Sequence, residues 1–289
     1  MSLIILCDRP GYLGNLLVLF SNFAALAIEK NFQILNPSFY LYKHYFEGTC
    51  DQPVPCFNAN TLLSNVPLSY RCANTSFRLL RRLNVNVPRI IHTVSLDWTE
   101  KLDLDQPENQ NYFNFKVNLV GGWLFRCDLL VEKYKSQLAT FFKPLKNFRD
   151  EAFIHKTRAC QYFSAQTLVG IHIRLRDYRY FQGGRYFYPL SLYISLMHSL
   201  ATQHPTPLAF IIVSDEPLSI NDFYGLNVYI SNSSEMVDLT ILSLCDGVIG
   251  PPSTFSYSAS CILGNSNLLH IEQKNQEIPA SFLNSLLMK

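Results

Sequence analysis

The sequence predicts an α/β protein built on parallel, doubly wound sheets, and three observations lead there. The chain opens on a short apolar run, 2–7, breaks at a glycine-bearing turn, and resumes as a dense apolar stretch of helical length. Its C-terminal half alternates apolar runs of strand length with runs of helix length, as strands joined by crossover helices do. Its 289 residues, 48% hydrophobic and 16% charged, are enough for one large core or two modest ones.

The elements follow in order. Residues 2–7 read as a buried strand, 8–15 (DRPGYLGN) as a turn, and 16–30 as a buried helix ending on Glu29 and Lys30. Aromatics, Pro and Asn crowd 31–67, which reads as loops and short pieces. A helix is expected over 69–84, with Arg78, Arg81 and Arg82 on a solvated face; an anionic partner or membrane is the alternative. Residues 88–94 read as a strand, the polar 97–112 as a surface loop, and 119–142 as a long helical region beginning near Gly121-Gly122-Trp123. Pro144 and several charges make 144–160 a linker, which gives an N-terminal domain over 1–150 and a C-terminal domain over 151–289. In the second domain strands are expected over 168–174, 208–213, 227–231, 246–250 and 268–272. Helices are expected over 189–204, 238–245 and 254–263 and from 279, with Asp238 capping its own helix.

The balance of 24 Lys and Arg against 22 Asp and Glu leaves a net charge of +2, with no basis for general nucleic-acid binding. None of the eight cysteines forms a CxxC or a zinc-finger spacing. They read as reduced and structural, with Cys50 and Cys56 the only pair close enough to invite a disulfide. The N-terminus lacks a basic leader and no apolar run has spanning length, so neither a signal peptide nor a transmembrane segment is expected. The expected location is the cytoplasm.

The segment from Val169 to Tyr178 (VGIHIRLRDY) begins as a strand and ends in charge. A strand that carries His172, Arg174, Arg176 and Asp177 at its carboxyl end delivers cations to the crevice where open α/β sheets bind ligands. Arginine suits a phosphate, which it grips with two parallel hydrogen bonds. Gly14 and Asn15 sit where a helix N-terminus offers free N–H groups to an anion, although taken alone a plain capped turn explains them better. Neither a GxGxxG nor a GxxxxGK[ST] is present, which weakens nicotinamide and P-loop readings. After the strand over 246–250, Ser253 and Thr254 stand at an N-cap, able to cap the helix or to hold a diphosphate. Asp238 could cap its helix or accept two hydrogen bonds from a guanine edge. The DxD at Asp103-Leu104-Asp105 lies in the polar loop without a preceding strand and reads as chance.

Taken in order, Gly-x-x-Gly-Asn near the start, His-x-Arg, Ser214-Asp215, and Asp238-Leu through Ser253-Thr-Phe-Ser-Tyr257 resemble the α-1,2-fucosyltransferases of glycosyltransferase family 11. The α-1,6- and protein O-fucosyltransferases are similar at a greater distance. The resemblance spans 11 to about 263, and 238–257 is its most specific part. It implies a GT-B-like fold of two Rossmann-type domains with parallel sheets facing a cleft, an N-terminal acceptor side, a C-terminal GDP-fucose side, and no metal or other cofactor. The implied reaction moves L-fucose from GDP-fucose, with inversion, to the 2-hydroxyl of a galactose-terminated oligosaccharide or glycolipid. It implies that Arg174 binds the β-phosphate, that His172 contacts the nucleotide, and that Asp238 reads guanine with Phe255 packed near it. Ser253 and Thr254 would hold phosphate oxygens, and Gly14 and Asn15 would close over the diphosphate. Asp177 is the nearest acidic candidate for the general base, or else it pairs with Arg176 or Arg179. Leu175 and Leu16 replace the family's second Arg and its Gln, Arg176 replaces a Gly, Tyr257 a Trp, and Glu216 the third residue of Ser-Asp-Asp. These departures keep two alternatives open: another nucleotide-sugar donor on the same fold, or a nucleotide- or glycan-binding protein without turnover.

Overall fold

The computed structural model describes residues 2–59, 70–264 and 267–288. The chain divides into two compact units, Met1–Leu145 and Lys146–Lys289, each with its own five-stranded sheet.

In the first unit β1 (Leu3–Leu6) leads into α1 (Leu13–Lys30), β2 (Gln33–Leu35), a 3₁₀ segment (Pro37–Tyr45) and β3 (Cys56–Phe57). Then come α2 (Tyr70–Arg82), β4 (Ile91–Ser95), β5 (Leu102–Asp103), α3 (Pro107–Gln110), β6 (Val117–Gly121), β7 (Phe125–Arg126), α4 (Asp128–Lys133) and α5 (Lys135–Phe141). The sheet order is β3-β2-β1-β6-β4, parallel throughout except where β3 runs against β2. Helix α1 is apolar nearly all round, as a core helix must be. It is long and apolar enough to cross a membrane, but 78% of the relevant window is buried inside the protein. Phe20 meets Phe39 and Phe142 edge-on, while Phe23 packs on Phe113 and Phe125. The buried Asn22 in its middle is satisfied, accepting from the Cys127 N–H at 2.6 Å and donating to the Val18 carbonyl. The helix ends at Asn31, whose left-handed backbone (φ 55°) turns the chain and returns its N–H to the Ala27 carbonyl.

The second unit contains α6 (Lys146–Tyr162), β8 (Thr167–Ile173), α7 (Leu190–Gln203), β9 (Leu208–Ser214), β10 (Val228–Ile230) and α8 (Glu235–Ser243). It continues through β11 (Gly247–Gly250), α9 (Thr254–Tyr257), a π-helical turn (Ser258–Leu263), β12 (Asn267–His270) and α10 (Ala280–Leu287). All five strands are parallel in the order β10-β9-β8-β11-β12. Strand order therefore reverses between β8 and β11, and open α/β sheets bind ligands at the carboxyl ends of such a switch point. One face of β8, at Val169, Ile171 and Ile173, joins a core that includes Tyr193, Leu196 and Met197 of α7 and Phe282 of α10. Strand alternation turns His172 to the other face.

Several expectations are corrected. Residues 119–142 are not one helical region, because Leu119 and Val120 belong to β6 between β1 and β4. A short apolar run buried on both faces has no period to tell strand from helix. The expected linker over 144–160 is mostly helix α6. The expected loop over 97–112 buries Leu104 and Gln110, and its β5 pairs with β7. Helix α1 begins at Leu13 rather than at 16. Part of the stretch over 31–67 lies outside the described residues. The expectation of reduced cysteines holds at Cys50 and Cys56, which are free thiols.

Candidate functional site

The carboxyl end of β8 brings a buried imidazole and a guanidinium to the switch point. His172 is 3% exposed and packs against the Phe255 ring, centroids 5.1 Å apart. Across on β11 stands Gly250, where a Cβ would lie 3.0 Å from the His172 Cβ, so a larger residue would push the strand end aside. Burial pushes the His172 pKa down to about 3, aided by the charges of Arg174 and His270. The ring is therefore neutral near pH 7, and its buried Nδ1 has no hydrogen-bond partner. His270 ends β12 in register with Gly250, so the two imidazoles flank that glycine. Its Nε2 is also buried without a partner, and burial lowers its pKa too.

Arg174 follows the strand. Its Nη2 donates to Asp177 Oδ1 at 2.6 Å, its Nε lies 3.2 Å from Asp215 Oδ2, and its guanidinium sits 5.0 Å from the Tyr178 ring centroid. Asp215, past the end of β9, also shapes the turn by accepting the Leu175 N–H at 2.8 Å and the Arg176 N–H at 3.4 Å. Asp177 thus pairs with Arg174, not with Arg176 or Arg179; Arg179 pairs with Glu216 instead. Leu175 points into the core at 7% exposed, so the position of the family's second arginine is an interior one here.

The turn after β11 faces this cluster. Ser253 caps α9, its Oγ accepting the Phe255 N–H at 3.2 Å, with Thr254 and Phe255 next in the first turn. The Tyr178 hydroxyl donates to the Pro252 carbonyl at 3.4 Å and ties the two turns together. Asp238 lies inside α8, not at its start, where Ser234 is the cap and accepts from Val237 N–H. Asp238 is buried and accepts the Ser231 hydroxyl at 2.5 Å, while desolvation raises its pKa to about 6.

In the first unit Gly14 and Asn15 lie in the opening turn of α1, Gly14 buried, behind an N-cap position (Tyr12) that makes no side-chain cap bond. The DxD carboxylates serve the backbone: Asp105 accepts the N–H groups of Leu129 and Leu130 at the start of α4, and Asp103 accepts the N–H of Asp105. Among the described residues no group of three or more His, Cys, Asp or Glu could hold a metal ion. Sequence reasoning passed over His270 and the ion pair of Asp8 with Arg81 at the carboxyl end of β1. Both depend on strand register, which leaves no local mark in the sequence.

No family model and no curated protein matches the chain. Solved structures do match its fold. POFUT1 in complex with GDP-fucose is similar over 93% of this chain and 99% of its own, with a TM-score of 0.56 and 11% identity. A mutant of Arabidopsis thaliana FUT1 in complex with GDP is similar over 97% of this chain and 73% of its own, with a TM-score of 0.54 and 14% identity. The fucosyltransferase NodZ from Bradyrhizobium covers 91% of this chain and 94% of its own, with a TM-score of 0.51 and 14% identity. At such identities the likeness is one of fold: α/β, GT-B-like, with two Rossmann-type units.

Proposed function

We propose that the chain is an inverting, metal-independent α-1,2-fucosyltransferase that moves L-fucose from GDP-fucose to the 2-hydroxyl of a galactoside during bacterial glycan synthesis in the cytoplasm. The observation that supports it is Arg174, placed at the switch point of a parallel sheet whose fold is shared with GDP-binding fucosyltransferases. In this reading the second unit takes the donor and the first the acceptor. Departure of GDP builds negative charge on the diphosphate, and a fixed guanidinium with nearby N–H and hydroxyl donors stabilises that charge. Arg174, Ser253 and Thr254 of the second unit supply those donors. Neutral His172 offers a hydrogen bond without a competing charge, Phe255 packs by the nucleotide, and Asp238 reads the guanine edge.

Arg174 now shares its charge with Asp177. A diphosphate that takes over the guanidinium releases the half-exposed Asp177, which can then accept the proton of the attacking hydroxyl. The buried Leu175 favours a second reading, in which a single arginine serves a different nucleotide-sugar donor. The test is incubation with GDP-fucose and lactose in EDTA, with GDP release and product mass followed, beside a panel of other donors and the Arg174→Ala variant. A fucosylated trisaccharide that forms in EDTA and fails with Arg174→Ala supports the proposal. Transfer from another donor alone selects the second reading, and a strict metal requirement refutes the mechanism.

A further inference from the structure

We infer that the carboxyl edge of the first sheet carries a binding platform for a neutral pyranose, built on Trp98 and Trp123 with Asp8 and Arg81 beside it. The inference deepens the transfer reading and rests on it only for naming the sugar as the acceptor. Trp98 follows the carboxyl end of β4 and Trp123 that of β6, strands that pair in parallel, so both indoles leave the same edge of the sheet. That edge is where parallel α/β sheets bind ligands.

Trp123 is anchored, and Trp98 stands exposed beside it. The Trp123 Nε1–H donates to the Trp98 carbonyl at 2.9 Å, and the rings stand 5.6 Å apart at 38°. The Arg126 guanidinium lies 5.2 Å from the Trp123 ring, and its Nη1 donates to the carbonyls of Trp123 and Phe125 at 2.8 and 2.9 Å. Trp123 is thus anchored through its polar atom and its π-face. Trp98 nonetheless remains 59% exposed. An indole face left open beside an anchored ring is available to the apolar face of a ligand.

The neighbouring polar groups match the rest of a sugar. Asp8, just past β1, accepts the Gly122 N–H at 3.0 Å with one oxygen and pairs with Arg81 Nη2 at 3.0 Å with the other. Arg81 lies flat on Gly121, where a Cβ would come within 2.3 Å of its Cδ, and its Nη1 reaches the Ser95 hydroxyl at 3.2 Å. Both side chains keep solvent access, 22% for Asp8 and 18% for Arg81. Each carboxylate oxygen retains lone-pair capacity for a sugar hydroxyl. A pyranose presents a C–H face to an indole and a rim of hydroxyls to such groups. Because Asp8 and Arg81 offset one another, the site favours a sugar without charge.

The test titrates lactose and methyl β-galactoside into the full chain without nucleotide, reading tryptophan emission and saturation transfer to the sugar C–H protons. Parallel titrations use Trp98→Ala and Trp98→Phe, and GDP is titrated into all three proteins. Wild type is expected to perturb its indoles and saturate one face of the galactose. Trp98→Ala should weaken sugar binding at least about tenfold, Trp98→Phe should restore most of it, and GDP affinity should be the same in all three. Equal sugar binding by Trp98→Ala, or a wild type whose tryptophans respond to neither sugar, overturns the inference. Failure of wild type to bind GDP counts against the transfer reading and leaves the sugar result to stand by itself.

Discussion

Arg174 is held by two carboxylates and an aromatic ring, so its direction is set before any ligand arrives. Arg174→Lys keeps the charge but loses the planar fork. It is expected to lower kcat roughly 100- to 1000-fold in the lactose assay, as loss of a preorganised donor typically does. Asp238 gives a prediction with a sign. Its folded pKa, about 6, lies above its ordinary value of 3.8, so the folded state holds a proton that the unfolded chain has released between those limits. Stability therefore falls as pH rises from about 4 to about 6, and the penalty is complete above that window. Asp238→Asn keeps the acceptor for the Ser231 hydroxyl and removes the charge. Denaturant melts should show the variant about 2–3 kcal/mol more stable at pH 7.5 and no different at pH 3.5. If Asp238 reads guanine, the same variant loses GDP affinity as it gains stability. The strand-end position of Arg174 and the capping role of Ser253 were legible because each sits in a local pattern of charge or capping, whereas the cap expected at Asp238 belongs to Ser234. His270 was not legible, since a histidine ending the short run NLLH acquires meaning only when register sets it beside Gly250.

Helix boundaries were decided by residues whose partners are distant in sequence. Asp105 caps α4 from more than twenty positions away, which is why a metal motif and a structural cap look alike on paper. Asp105→Ala should cost about 1 kcal/mol in thermal melts, in line with loss of a cap, and leave transfer in EDTA unaffected. A loss of transfer with normal folding would instead give the DxD a chemical role. Helix α8, by contrast, starts on a local cap, Ser234 rather than Asp238, and Ser234→Ala is expected to cost about 1 kcal/mol. In the second unit, apolar runs broken by turns located every strand, because each strand is separated from the next by a helix or loop. In the first, β6 was lost within an apolar stretch that ran on into α4, and α6 was concealed by a weakly amphipathic, charge-rich sequence.

Each unit has its own core, and in both sheets parallel strands bring charged and aromatic side chains to their carboxyl ends. In the second unit that edge holds His172, Arg174, Asp215 and the Ser253 turn; in the first it holds Asp8, Trp98 and Trp123. The class of fold was evident from the sequence, since alternating elements need only local periodicity. The cluster of Asp8, Trp98 and Trp123 was hidden because its residues come from separate strand ends. The central claim is that the second sheet binds a guanosine diphosphate through Arg174 without metal. Calorimetric titration of GDP into wild type and Arg174→Ala, both in EDTA, tests it most directly. The expected result is saturable binding by wild type and at least about tenfold weaker binding by the variant. Equal affinity of the two proteins, or GDP binding that appears only when a divalent ion is restored, would contradict it.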